Sequence, residues 1–144
     1  MNHRHRARRL ALQGICCLDA QGPGVMDLVR DFISDSREVP GTVALATELL
    51  DGAYGQVDRC DGVLKDHCHH WDLGRLALID RGILRLAVHE LLSGQTPAKV
   101  VITEALKLAK EFSTAESPRF INGVLDSVLK ALSEGQDGAA EEDD

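Results

Sequence analysis

RLALIDRGILRLAVHELL, residues 75–92, is the densest apolar stretch of the chain. Its apolar residues recur at helical spacing and cover most of the circumference of a helix. A helix of this kind must be enclosed by neighbours on several sides. One narrow polar stripe remains, formed by Arg81, Arg85 and His89 at intervals of four residues. The stretch therefore predicts a central, largely buried helix.

Two further helices are predicted after this stretch, each beginning with a hydroxyl residue followed by proline. The two starts are Thr96-Pro97 and Ser117-Pro118. A hydroxyl side chain can cap the first turn, and proline has no N–H to leave unpaired at the first helical position. The second half of the chain is thus predicted to be a central helix wrapped by its neighbours.

Three blocks in this half resemble a known family. They read LALIDRGILRLAVHEL at 76–91, KVVITEALKLAKEF at 99–112 and SPRFINGVLD at 117–126. Their order and spacing resemble those of the NusB family of bacterial transcription antitermination factors. With the basic N-terminal segment, the resemblance extends over residues 4–132 of the chain.

Composition also favours a helical domain. The chain has 144 residues, of which 44% are hydrophobic and only 3% aromatic, a mixture more typical of helices packed on aliphatic side chains than of a β-sandwich. No apolar run is long enough to cross a bilayer, which takes about 20 residues. The N-terminal segment lacks the cleavage site of a secretion signal, so the four cysteines are expected to be reduced thiols in the cytoplasm.

The net charge of −7 arises mainly at the C-terminus. Six of the 23 acidic residues lie in residues 134–144, so 17 remain in the body against 16 basic residues. We expect residues 134–144 to form a disordered acidic tail.

The N-terminus is strongly basic. Residues 1–6 are predicted to be a flexible arm, followed by a helix from Ala7. Cations at a helix N-terminus oppose the macrodipole, so an RNA phosphate bound there would relieve their repulsion. A solvated basic helix start without a ligand is the alternative. The arginines concerned are Arg4, Arg6, Arg8 and Arg9.

A short helix is predicted around residues 25–34, and a long third helix over residues 46–71 that bends or breaks near Gly55. Gly55 and the neighbouring glycines cost about 1 kcal/mol each relative to alanine, so the third helix should depend on packing. Residues 7–133 are thus predicted to form one helical domain, with N-terminal helices in 7–71 and C-terminal helices in 72–133.

Motifs of catalysis or metal binding are not recognised. His67, Cys68, His69 and His70 are consecutive, whereas a zinc site usually draws two ligands from each of two separate segments. The chain has no glycine-rich phosphate loop, no G-x-S-x-G and no H-E-x-x-H. We expect no cofactor, no metal and no enzymatic activity.

The start of the last helix combines an aromatic residue with polar neighbours. Phe120 lies between Arg119 and Asn122, and could stack an unpaired base while free backbone N–H groups meet a phosphate. The alternative is that Phe120 packs at the edge of the core. Gly123, one turn further, predicts close approach of another backbone.

The resemblance implies an all-α fold of two packed three-helix subdomains that form one compact helical domain. It implies a non-catalytic protein that binds boxA-type single-stranded RNA together with NusE, a small-subunit ribosomal protein. The complex would join the elongating RNA polymerase and suppress termination, chiefly in rRNA transcription. The residues implied for RNA are Arg4, Arg6, Arg8, Arg9, Glu116, Ser117, Arg119, Phe120 and Asn122, and those implied for NusE are Asp80 and Arg81.

The sequence departs from the family pattern in the first helix. Family members commonly carry aromatics where this chain has the segment 15–18, Ile-Cys-Cys-Leu, and the acidic tail is not part of the pattern. Two other classes therefore stay open, a homodimeric helical interaction module without RNA binding and a small enzyme that uses the histidine cluster. One continuous RNA surface would require the first and last helices to lie side by side.

Overall fold

The structure, a computed structural model, describes residues 2–68 and 75–142, with side chains as far as Glu134. These residues form seven α-helices, a 3₁₀ turn at Pro23–Val25 and no strand, which confirms the predicted all-α fold. None of the described helices combines the length and apolarity needed to cross a membrane. The helices are α1 (His3–Gln21), α2 (Met26–Ser34), α3 (Pro40–Gly55), α4 (Val57–His67), α5 (Leu78–Ser93), α6 (Ala98–Phe112) and α7 (Ser117–Glu142).

The helix α5 lies at the centre of the fold, as the sequence predicts. It packs against α1, α3, α4, α6 and α7, and Ile83, Leu84 and Val88 have no solvent exposure. Fully burying an aliphatic side chain of this size contributes about 1.5–3 kcal/mol. Because its apolar face nearly encircles it, α5 can hold five neighbours at once.

The predicted long third helix is two helices. The break is at Gln56, which directly follows Gly55 and ends α3. The carbonyl of Gln56 also accepts the first hydrogen bond of α4, from the backbone N–H of Cys60 at 3.0 Å. The second half then turns to pack on α5 and α7. Of the described helices, α1–α3 precede this break and α4–α7 follow it. The predicted boundary at residues 71 and 72 lies outside the described residues.

Both ends of the chain are more helical than predicted. α1 begins at His3, not Ala7, because the Asn2 side chain caps the helix by accepting from the backbone N–H of His5, at 2.8 Å. Since His5 is buried, residues 3–6 are part of the packed structure rather than an arm. At the other end α7 continues to Glu142, through the segment predicted to be disordered. A helix already nucleated gains one backbone hydrogen bond for each added residue, which favours such continuation.

Gly52 of α3 makes a close approach to α5. A Cβ atom built at Gly52 would lie 2.3 Å from Nε2 of His89, whereas one built at Gly62 of α4 has no atom within 4 Å. Gly123, predicted from the sequence to be such a point, is also open.

We predict opposite effects for alanine at two of these glycines. Gly52→Ala should lower the free energy of unfolding by about 1–3 kcal/mol through overpacking. Gly62→Ala should raise it by about 0.4–1 kcal/mol, since alanine restricts the unfolded chain. Urea denaturation followed by circular dichroism measures both, and equal effects at the two positions would contradict the packing described.

Candidate nucleic-acid interface

The corner between α6 and α7 is built around Asp80. Its carboxylate accepts a hydrogen bond from Ser113 Oγ at 2.6 Å and one from Ser117 Oγ at 3.0 Å. Ser117 Oγ also lies 2.8 Å from Thr114 Oγ1. One carboxylate of the central helix thereby fixes the loop before α7 and the first residue of that helix.

A groove of about 880 Å³ opens at this corner. It brings together Asp80 and four of the five residues predicted at the start of α7, and His67 and Cys68 close its far side. Arg119 is exposed, and Phe120 is partly buried because it also packs against the core. Asn122 is half-buried and is not in the groove lining. The four residues at the start of α7 that do line the groove are Glu116, Ser117, Arg119 and Phe120.

Arg8, which the resemblance implies as an RNA contact, does not lie on the surface of this structure. The residue is only 4% exposed, and its guanidinium donates two hydrogen bonds to Glu90, itself 5% exposed, at 2.8 and 3.0 Å. The bidentate geometry satisfies both carboxylate oxygens. Burial alone would lower the pKa of Arg8, but the hydrogen bonds to Glu90 and the Coulombic attraction of Glu90 and Glu104 together outweigh it and raise this pKa above its usual value. Arg8 is therefore a buried link between α1 and α5.

The other three arginines are at least partly accessible. Arg4 is exposed and has no ion-pair partner among the described residues. Arg6 pairs with Glu38 at 3.2 Å. Arg9 pairs with Glu111 at 3.2 Å and lies over the ring of Phe112, 5.4 Å from its centre. The basic cluster of the sequence is thus one unpaired cation beside two paired ones.

Sequence reasoning missed the residue that anchors this end of α1. Buried His5 places Nδ1 2.5 Å from a carboxylate oxygen of Glu104 and Nε2 within hydrogen-bond distance of Glu111. Burial alone would raise the pKa of Glu104, but hydrogen bonds from His5 and Lys107 outweigh it and hold this pKa below its usual value. The only signal in the sequence is that Glu104 and Glu111 lie seven residues apart, on one face of α6.

α1 and α7 do not pack side by side, as a continuous RNA surface was expected to require. α1 packs mainly on α2, α3 and α5, while α7 packs on α4, α5 and α6. The C-terminal end of α6 bridges them, since Arg9 contacts Glu111 and Phe112 just before the loop that leads to α7. The two predicted regions thus meet across α6 rather than directly.

The polar stripe of α5 faces other helices. Arg81 pairs with Asp19 of α1 at 2.6 Å, and Arg85 pairs with Asp61 of α4 at 2.8 Å. Asp80 and Arg81, predicted to contact a partner protein, are therefore half-buried and already engaged within the chain. A partner could reach only their remaining exposed edge.

The first-helix segment that departs from the family pattern is mostly internal. Ile15 and Leu18 are in the core, and Cys16 is partly buried. A Cβ atom at Gly82 of α5 would lie 2.9 Å from Cys16 Sγ, so the thiol fits where α5 has no side chain. Burial raises the pKa of Cys16 to about 11, which keeps the thiol protonated. Cys17 alone of the four is exposed.

The described part of the histidine cluster has structural contacts. Nδ1 of His67 lies 2.6 Å from Ser127 Oγ of α7, and Cys68 is buried against the core. His69 and His70 lie outside the described residues.

Comparison with known proteins assigns the family. The profile of the NusB family matches residues 5–130. The chain belongs to the NusB family. The transcription antitermination protein NusB of Solibacter usitatus is 40% identical over 136 residues, covering 93% of each chain. Antitermination is regulation of transcription rather than catalysis, which agrees with the prediction that the chain is not an enzyme.

Solved structures of the NusB family share the fold. T. maritima NusB superposes with a TM-score of 0.82 at 28% identity, covering 88% of this chain and 90% of that one. A chain from the crystal structure of antitermination factors NusB and NusE in complex with dsRNA gives a TM-score of 0.81 at 25% identity, covering 91% and 98%.

We predict that Arg8→Ala destabilises the protein by about 3–5 kcal/mol, because it leaves Glu90 buried and unpaired. Arg4→Ala, at an exposed arginine one turn earlier, should change stability by no more than about 0.5 kcal/mol. The double variant Arg8→Met with Glu90→Leu should recover most of the loss. Urea denaturation of the four proteins checks this, and an Arg8→Ala protein as stable as the parent would contradict it.

A second prediction concerns acid stability. Because the folded pKa of Glu104 is lowered, its ionised form contributes stability above the unfolded pKa of about 4.3, and this is lost as pH falls through the folded pKa. Glu104→Gln should therefore be less stable than the parent at pH 7, and the difference should shrink on acidification. Thermal unfolding between pH 7 and pH 3 measures it; a constant difference would contradict the assignment.

Proposed function

We propose that this chain is an RNA-binding transcription antitermination factor that takes boxA-type single-stranded RNA at the α6–α7 groove. The observation that carries the proposal is the position of Phe120 and Arg119 on one groove whose loop is fixed by Asp80. The names of its relatives support the regulatory role, and the complex of NusB and NusE with dsRNA supports RNA as the class of ligand.

The groove supplies two kinds of contact. The partly buried ring of Phe120 offers an apolar face on which an unpaired base can stack, and exposed Arg119 offers a cation for the adjoining phosphate. Exposed Glu116 adds a hydrogen-bonding group at the base edge, while the hydroxyl of Ser117 is already bonded to Asp80. Arg9 and Arg4 would extend the phosphate path across the end of α6, while Arg8 has no part in it.

NusE is the proposed protein partner, through the remaining exposed edge of Asp80 and Arg81. The complex would then join the elongating RNA polymerase in the cytoplasm, chiefly during rRNA transcription. Since Asp80 also holds the loop of the RNA groove, a partner that touches this edge could couple its own binding to that of RNA.

A second candidate function is a homodimeric interaction module. An apolar groove of about 620 Å³ between α1 and α2 contains Leu28 and Phe32, which are 69% and 50% exposed. Large exposed apolar side chains that share one groove are typical of a protein contact surface.

We predict different salt dependences for two variants in RNA binding. Arg4→Ala should weaken binding and lower the slope of log affinity against log salt by about 0.7, the value for one phosphate contact on a single strand. Phe120→Ala should weaken binding by about 1–3 kcal/mol and leave the slope unchanged, since stacking releases no counterion. Mobility shift with boxA-type RNA at several salt concentrations measures both.

Arg59→Ala serves as the control, because Arg59 is exposed on α4 and does not line the α6–α7 groove. A duplex of the same sequence tests the preference for single strands. RNA binding by Phe120→Ala at parental affinity would contradict the groove assignment. If the parent binds no RNA and sediments as a dimer that Phe32→Asp dissociates, the interaction module is the better function.

We also predict that two substitutions at the α6–α7 corner distinguish the effect of the Asp80 charge from the effect of the hydrogen bonds that order the loop. Asp80→Asn removes the charge, while Ser113→Ala removes one hydrogen bond and leaves the carboxylate ionised. If Asp80 contacts NusE through its charge, Asp80→Asn should weaken NusE binding several-fold and Ser113→Ala should not. Isothermal titration calorimetry with NusE measures this; equal NusE affinity for both variants and the parent would contradict the contact.

A further inference from the structure

A second cleft lies beside the N-terminal part of α1, about 100° round the helix from the side that faces α6. It has a volume of about 540 Å³, within the range of small-ligand sites, and is formed by α1, α3, the end of α5 and the following loop. Arg4, Glu48, His89, Ser93 and Thr96 are among its lining residues. Of these residues, only Arg4 has a role in the function proposed above.

His89 in this cleft is not explained by packing alone. Its Nδ1 atom is buried and has no hydrogen-bond partner among the described residues, and a buried polar atom left without a partner is destabilising. Its ring occupies the space left by Gly52, whose Cβ would overlap Nε2. Burial lowers the pKa of His89, so the ring is neutral at pH 7. A neutral aromatic ring in a cleft, placed there at a cost, is typical of a binding position.

The charges in the cleft favour a neutral base over a phosphate. Arg8 and Glu90 neutralise each other, and both oxygens of Glu90 are occupied by Arg8. Glu48 is exposed and has no hydrogen-bond or ion-pair partner in the described part of the chain, so its carboxylate is available. A carboxylate only accepts hydrogen bonds, and it would repel a phosphate. The base edge that suits it carries an amino group.

Arg4 connects this cleft to the proposed RNA path. In α1, His5 and Arg9 face α6, whereas Arg4 and Arg8 lie about 100° round the helix and line the cleft. A strand that leaves the α6–α7 groove past Arg9 therefore reaches the cleft by crossing one helix turn.

We infer that this cleft takes one unstacked nucleobase of the bound RNA, with an amino-bearing edge on the Glu48 carboxylate and the adjoining phosphate at Arg4. The ring of His89 forms a wall against the base, and Ser93 and Thr96 supply hydroxyl groups at its rim. The inference rests on the proposed function, because it extends the same RNA beyond the groove at Phe120.

The test pairs Glu48→Gln with single-atom changes in the RNA. Each guanine of a boxA-type RNA is replaced in turn by inosine, each adenine by purine riboside and each cytosine by pyrimidin-2-one riboside, which removes one exocyclic amino group at a time. At one position, removal of the amino group should weaken binding by the parent by roughly tenfold, as expected for losing a hydrogen bond to a charged group. The same RNA change should cost Glu48→Gln much less. Asp31→Asn, which removes an exposed carboxylate on α2, should retain the parental pattern.

Each outcome decides the matter. A position that loses its effect only in Glu48→Gln supports the cleft. If every amino-group removal has the same effect in the parent and in Glu48→Gln, while Phe120→Ala still weakens binding, the cleft assignment is wrong and the proposed function stands. If the parent binds none of the RNAs, the proposed function fails and the cleft assignment falls with it.

Discussion

The buried ion pair between Arg8 and Glu90 fixes how α1 is seated on the centre of the fold. Removing two charges from water costs several kcal/mol each, and only a geometry that satisfies both partners offsets that cost. The guanidinium of Arg8 meets both oxygens of Glu90, so α1 has little freedom to rotate or slide along α5. His5 adds a second attachment one turn earlier, on α6. Two polar contacts on two faces therefore set the rotation of α1 about its axis.

That rotation decides what each arginine of α1 can do. With Arg8 turned inward, Arg4 stands one turn earlier at the mouth of the cleft, and Arg9 is carried onto Glu111 and Phe112. The four cations that look equivalent in the sequence thus have three different environments. Because Arg8 has a structural role, the other three arginines have defined positions. The proposed RNA path requires such defined positions.

The sequence predicts the features of this fold that depend on local pattern. The near-complete apolar coverage of residues 75–92 predicts a central helix, and the glycine at position 55 predicts the break between α3 and α4. The start of α7 could be placed, and four of its five candidate residues do share one groove. These inferences succeed because period, breakers and caps act over a few residues.

The errors arise where the partner is distant in sequence. Nothing near Arg8 indicates that Glu90, 82 residues later, will bury it, so the cluster reads as uniformly exposed. The sequence around His5 predicts a flexible arm because its partners, Glu104 and Glu111, are about a hundred residues away and give no local signal. The sequence does not distinguish Gly123 from Gly52. Only the packing of α5 against α3 makes glycine necessary at position 52. Burial of a charge is a property of tertiary structure, not of the residue.

The environments of the arginines also limit how much of RNA affinity can be electrostatic. If all four cations met phosphates, the salt slope would approach about 2.8 on a single strand, at about 0.7 each. Arg8 is unavailable, and a phosphate would have to compete with Glu38 for Arg6 and with Glu111 for Arg9. When a phosphate replaces the carboxylate already paired with an arginine, the gain in binding free energy is smaller than for a newly formed ion pair. On a body with nearly equal numbers of acids and bases, the proposed function therefore requires stacking on Phe120 and base-edge contacts to supply a larger share of the affinity. A partner protein that adds its own cations would make up the remainder.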